Sequence, residues 1–319
     1  EEEDEARREM KTEAHEQLIQ GVSKLRARYL IEANALDEAR TLIDEMLADD
    51  ANDHEAVALD GILYARLGDN DTALQRLTRA IELEDDFATA RIERGRIYLT
   101  KGDFYNARKD FETAIDLEGM ASQVAVQLAV AYKQMGLTDD AADIYRDVLD
   151  ADPTFEPATR GLLEIHYADR DWTRFSNLLT DAQRRFDDPY YILVEANMWA
   201  DRHDAAKMMA AMDKGLKRFP RDQEMVTAYL MALLFAERED DALTMAKLYA
   251  DRKASAPWAK AICGRIYALQ GNEADADAMF AEALACAKPR HLALVLEQAS
   301  IGYGPKTAVD KIDELRVNR

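Results

Sequence analysis

The side chains able to do covalent or metal chemistry are few in this sequence, and they do not converge. The five histidines, His15, His54, His166, His203 and His291, stand far apart and lack the close spacing of metal ligands. His15 is followed by Glu16 but not by the second histidine of a zinc-protease helix. Cys263 and Cys286 form no Cys-x-x-Cys pair, and two cysteines in 319 residues exclude a disulfide scaffold. Gly302-Tyr303-Gly304 lacks the third glycine and the preceding strand of a phosphate-cradling loop. Carboxylates abound, but general acid–base work needs them placed in a pocket, which abundance does not supply. The expectation is a non-enzymatic protein with no cofactor and no metal, whose chemistry is non-covalent recognition.

Charge narrows what can be recognised. Against 41 Lys and Arg stand 62 Asp and Glu, a formal charge of −21. Nucleic acid and anionic membrane are poor partners for such a chain, because phosphate neutralisation needs clustered cations. The 48% hydrophobic content is too high for global disorder. No apolar run reaches the roughly 18 residues that would suggest a membrane span, so no direct membrane insertion is expected in this segment. The sequence opens at Glu1 with no signal peptide visible. That leaves the compartment undetermined: cytoplasmic by default, with a processed periplasmic or membrane-tethered form also compatible.

The elements that must position any recognition surface announce themselves by period. Gly68, Gly102 and Gly136 lie 34 residues apart. Tyr64, Tyr98 and Tyr132 precede them by four, and Ala73, Ala107 and Ala141 follow them by five. Leu77, Phe111 and Tyr145 add a bulky apolar series. Glycine and proline number only 13 and 7, too few for the turns of a β protein. A fixed period of this size signals stacked helix pairs, each unable to bury its apolar face alone. In one such pair the helices read as His54–Leu67 and Asn70–Glu84, with Gly68 at the turn. Gly61, Gly95 and Ala129 are expected to let the helices approach, faced by Ala73, Ala107 and Ala141.

This pattern resembles the tetratricopeptide repeat (TPR) family. Ala129, Tyr132, Gly136, Ala141, Tyr145 and Pro153 carry its signature, as do Gly264, Tyr267, Gly271, Ala276, Phe280 and Ala283. The resemblance implies an all-α, right-handed superhelical α-solenoid of about nine helix pairs. From Gly136 to Gly271 is 135 residues, one short of four periods, so three degenerate repeats lie between with one net deletion. The resulting divisions are an acidic N-terminal segment over 1–19, regular repeats over 20–155, degenerate repeats over 156–256, a regular repeat over 257–290 and a C-terminal capping pair over 291–319. The last pair reads as His291–Ser300 and Pro305–Val317.

In this family one face of each first helix lines the concave surface. Here that face carries Arg28 in the first repeat, Ala58, Ile62 and Arg66 in the second, Ile92, Arg96 and Leu99 in the third, and Val126, Val130 and Lys133 in the fourth. The expected groove is therefore apolar with scattered cations. Acid gathers instead on the outer face, at Asp139, Asp140, Asp143, Asp147 and Asp150 of one second helix. The family's two-carboxylate clamp for chain termini is absent. Its places hold Ala58, Ile62, Glu93, Gln123 and Gln127, or one repeat earlier Lys24, Arg28, Leu59, Thr89 and Glu93.

The sequence reading is a scaffold or adaptor that binds a protein or peptide with apolar and acidic residues in the concave groove. The alternative is homo-oligomerisation through the degenerate repeats, where seven of twelve methionines fall between Met198 and Met245, or through the terminal repeats. Trp172, Trp199 and Trp258 read as core or inter-repeat packing; of the three, Trp258, at a groove-lining place near Arg265 and Leu269, is the best placed to touch a ligand.

Overall fold

Helix follows helix in the computed structural model, which describes residues 18–252, 256–288, 291–304, 307–308, 310–312 and 315. The acidic lead-in Glu1–Glu16 and Pro289 lie outside the described residues. Among those described there is no strand. The chain forms two compact units, Glu1–Phe175 and Ser176–Arg319.

The first unit runs through α1 (residues 18–32), α2 (Leu36–Asp49), α3 (His54–Arg66), α4 (Asn70–Leu83), α5 (Ala88–Lys101), α6 (Phe104–Glu118), α7 (Ser122–Gln134), α8 (Thr138–Ala151) and α9 (Glu156–Ala168) to the start of α10 (Trp172–Arg185). Consecutive helices pack antiparallel in pairs, and α3, α5, α7 and α9 also touch their odd-numbered neighbours. The second unit holds the rest of α10, then α11 (Tyr190–Asp201), α12 (Ala205–Arg218), α13 (Gln223–Phe235), α14 (Glu239–Arg252), α15 (Pro257–Leu269), α16 (Glu273–Cys286) and α17 (Leu292–Tyr303).

One turn recurs at the end of each pair's first helix. At Gly68 the backbone enters the left-handed region, its N–H bonds Ala65 O at 3.1 Å, and Asp69 N–H bonds Tyr64 O at 3.0 Å. This double bond satisfies carbonyls that a helix end leaves open. The same pair of bonds forms around Asn34, Gly102, Gly136, Arg170, His203, Glu237 and Gly271, all at positive φ. Their spacing is 34 residues except for one step of 33, from Arg170 to His203, which locates the missing residue. The following residue often caps the next helix: Asp69 accepts from Thr72 N–H at 3.1 Å and Asp103 from Asn106 N–H at 3.2 Å.

Packing within a pair adds one detail to the sequence expectation. The small residues are met first by the bulky series: a methyl group at Gly61 would come within 2.8 Å of Leu77, with Ala73 O next at 3.3 Å. A methyl group added at Gly95 would come within 2.8 Å of the Phe111 ring, and one at Gly264 within 3.0 Å of Phe280. The ring lies flat against a helix with no side chain there, which is why it can be fully buried. Ala107 is itself fully buried beside it.

In the second unit the methionines build the core. Met208, Met209, Met212 and Met225 are buried among Leu230, Leu233 and Ile262, and Met198 is buried as well. Irregular gaps between helices lacking the regular signature suit this unbranched side chain. Trp258 belongs to the same core, 8% exposed and tilted against Tyr249 with ring centroids 5.9 Å apart. It is packing, as read from the sequence, and its burial leaves little of the ring for a ligand. The C-terminal pair needs correction. α17 continues through Gly302, whose bare Cα lets it close on Ala268 and Arg265 of α15. The break falls at Gly304, where φ is +85°.

Candidate partner-binding groove

Positions 28, 62 and 96 are one period apart, so Arg28, Ile62 and Arg96 occupy equivalent places on α1, α3 and α5. Two adjoining cavities open along these three helices. The larger, about 550 Å³, is walled by Leu18, Val22 and Leu25 of α1 and floored by Ala58 and Ile62 of α3, with Phe87 at its edge. The smaller, about 200 Å³, is ringed by Arg28, Arg66, Arg96, Glu32 and Glu93. Arg28, Leu59, Ile62 and Thr89 line both.

The structure thus gathers half of the groove expected from sequence. Arg28, Ala58 and Ile62 line the larger cavity, and Arg28, Ile62, Arg66 and Arg96 the smaller. Ile92 and Leu99 line neither; both are half-buried against the core of Phe111 and Leu128. Val126 is buried, Val130 is half-buried, and Lys133 spans to Glu164 on α9 at 2.6 Å. The outer-face aspartates of α8 are exposed, as their spacing indicated.

Sequence reasoning missed the apolar wall. Leu18, Val22 and Leu25 are 65%, 56% and 69% exposed, and with Tyr29 they follow the i, i+4, i+7, i+11 stripe of one helix face. Dividing the acidic segment from the first repeat at residue 19 cut that stripe short. Phe87, ahead of α5, has no periodic signal because it lies in a linker.

The cations are not equivalent. Lys24 bonds Asp53 at 2.8 Å and Glu55 at 2.7 Å. Burial works to lower its pKa, but the two carboxylates prevail and hold it above the ordinary lysine value. Arg96 donates to Glu93 on its own helix and to Gln127 of α7 at 3.3 Å. Burial holds the Glu93 carboxyl above its ordinary value, and Arg96, Arg28 and Arg66 offset this only in part. Arg28 and Arg66 are exposed and make no ion pair among the described residues. The arrangement offers an apolar surface beside two uncommitted guanidinium groups.

The second unit carries a cavity of about 370 Å³ lined by Leu193, Met208, Met212, Met231 and Phe235, with Phe235 55% exposed at its rim. Nearby, Arg265 donates to Gln298 Oε1 at 3.3 Å and has no carboxylate within ion-pair distance among the described residues. The reactive side chains are packing elements. His166 is buried, and burial lowers its pKa. Cys263 is fully buried, and burial pushes its thiol up to about 12. The described residues hold no group of three or more metal-ligating side chains, and no described helix is long and apolar enough to cross a membrane.

Comparison with known proteins bears on the fold. A tetratricopeptide repeat family model matches residues 60–119 and 93–156. Over 91 residues the chain is 35% identical to human Tetratricopeptide repeat protein 36, covering 27% of this chain and 48% of that one. Over 119 residues it is 28% identical to rat DnaJ homolog subfamily C member 3, covering 36% of this chain and 24% of that one. The chain thus spans less than half the length of these curated relatives. Among solved structures, PilW, a type IV pilus biogenesis factor, superposes with a TM-score of 0.56 at 16% identity, over 66% of this chain and 97% of that one. Yeast Tom70 gives 0.56 at 16% identity, over 89% and 59%. At such identities the likeness is one of fold.

Proposed function

Because the chain is a tetratricopeptide repeat protein, built on the fold of protein-interaction scaffolds, we propose that it captures a segment of a protein partner in the groove across α1, α3 and α5. The observation that carries this reading is the exposed apolar wall of Leu18, Val22 and Leu25 facing Ala58 and Ile62 across a cavity of about 550 Å³. Apolar surface left open to water beside polar groups is the signature of a binding site. An amphipathic helix or an extended segment presenting an apolar side chain fits such a groove. The scaffold contributes no bond-making chemistry; it selects and holds.

The test compares wild type with Ile62→Asp and Leu25→Asp as immobilised bait in native extract. Leu25 is 69% exposed, so its substitution changes stability by no more than about 0.5 kcal/mol. Both variants are expected to lose the proteins that wild type retains, with unshifted thermal melting for Leu25→Asp. Equal capture by all three would count decisively against the groove. A second reading, self-association through α11–α13, draws on the exposed Phe235 beside the methionine-lined cavity. Light scattering that finds a monomer at high concentration removes it.

A further inference from the structure

The smaller cavity says more about the partner than the larger one does. Its rim places three guanidinium groups, Arg28, Arg66 and Arg96, with two carboxylates, Glu32 and Glu93. The sum, three positive less two negative, leaves one positive charge. Glu93 already holds Arg96, so α5 supplies no uncommitted cation. The two that remain, Arg28 and Arg66, come from α1 and α3 and stand exposed at the cavity. A planar guanidinium takes a carboxylate through paired N–H donors, and charge-assisted bonds of this kind are the strong ones.

Resting on the groove reading above, we infer that Arg28 and Arg66 form an acid-accepting subsite that takes one Asp or Glu side chain of the bound segment, while Leu18, Val22 and Leu25 take an apolar side chain next to it. The two cavities share Arg28, Leu59, Ile62 and Thr89, so the acidic and apolar residues of the partner are near neighbours on one face. One surplus positive charge matches one carboxylate. A phosphate, carrying about −1.5 to −2, meets Glu32 and Glu93 as uncompensated repulsion. The clamp that the family resemblance would imply for a chain terminus is not formed, since Leu59, Thr89 and Glu93 stand at its places. The charge of the whole protein, −21, would repel an acidic partner at long range. The subsite therefore acts at contact, choosing the register of a segment that the apolar cavity has already engaged.

The experiment pans a phage-displayed random peptide library on the full chain, on Arg28→Glu/Arg66→Glu, and on Ile62→Asp. Wild type is expected to enrich peptides with Asp or Glu beside an apolar residue. The double charge reversal should keep the apolar enrichment and exchange the acid for Lys or Arg. A fluorescent copy of a wild-type-selected peptide should bind Arg28→Gln/Arg66→Gln roughly tenfold or more weakly, in keeping with a lost charge-assisted bond. That neutral pair decides the matter if circular dichroism shows the reversed variant misfolded. Peptides enriched by wild type and lost in Ile62→Asp, yet free of acidic preference, overturn the subsite and leave the groove standing. Stronger displacement of the probe by a phosphoserine peptide than by its Asp counterpart, or displacement that depends on a free C-terminus, overturns it as well, as does displacement of the probe by this chain's own residues 1–17 without an arginine dependence. A library in which nothing is enriched overturns groove and subsite together.

Discussion

Arg94 of α5 grips Asp110 of α6 with two parallel hydrogen bonds, Nε to Oδ2 at 2.8 Å and Nη2 to Oδ1 at 2.7 Å, while its Nη1 donates to Thr78 Oγ1 of α4 at 3.1 Å. Asp110 is 3% exposed. Three helices of two successive repeats are thereby pinned at one point, beside the Gly95–Phe111 contact. A buried pair of this kind is costly to break but not to replace. Asp110→Ala is expected to destabilise by about 3–5 kcal/mol, because it strands the Arg94 guanidinium. Arg94→Met with Asp110→Leu should recover most of that loss. Urea denaturation of the two variants checks both halves; equal destabilisation would show that the pair, and not the stranded charge, sets the energy.

Glu93 gives a prediction in pH. Burial is the largest influence on it and raises its pKa in spite of Arg96, Arg28 and Arg66, with Glu32 adding a further negative charge across the cavity. An unfolded glutamate titrates near about 4.3. A value raised in the folded state means that the protonated form favours folding. Its contribution is full below the unfolded value and is lost as pH rises through the folded one. Glu93→Gln removes this loss. The stability of Glu93→Gln relative to wild type should therefore increase as pH is raised from about 4 to 7, read by urea titration at each pH. A constant difference would show that the site is better hydrated than its position implies. The same substitution removes one negative charge from the cavity, so an acidic probe peptide should bind it more tightly than wild type.

The turn series predicts a gain in stability where the sequence looks worst. Glu237 adopts φ +58° and His203 φ +55°. The left-handed region costs an L-residue roughly 1–2 kcal/mol that glycine avoids. Glu237→Gly is thus expected to stabilise by about 1 kcal/mol, after the extra entropy that glycine gives the unfolded chain. Gly136→Ala, at φ +79°, should cost about as much. Thermal melts of both variants measure this directly, and destabilisation by Glu237→Gly would mean that its side chain earns more at the turn than its backbone loses.

These turns also show what the sequence could and could not reveal. Glycine at Gly68, Gly102, Gly136 and Gly271 made the period visible, because there the backbone need and the residue type coincide. Asn34, Arg170, His203 and Glu237 fill the same geometry with side chains that disguise it, since the two backbone hydrogen bonds enforce the turn whatever residue stands there. The cations of the groove were legible as positions but not as states. Nothing in the sequence distinguishes Lys24 and Lys133, tied to Asp53, Glu55 and Glu164, from Arg28 and Arg66, because those carboxylates come from neighbouring repeats. Trp258 was legible as packing, and the Tyr249 ring lies against it with centroids 5.9 Å apart.

Met198 and Met225 are thioethers shut away from solvent in the second unit, and the first unit buries none among its described residues. An oxidant can reach them only while that unit is open. A sulfoxide formed in that moment is polar and does not fit back into the core. Under peroxide stress, transient breathing of one half of the chain is thus converted into lasting damage, at a pace set by opening, while the described residues of the half that carries the groove hold no such sulfur to lose.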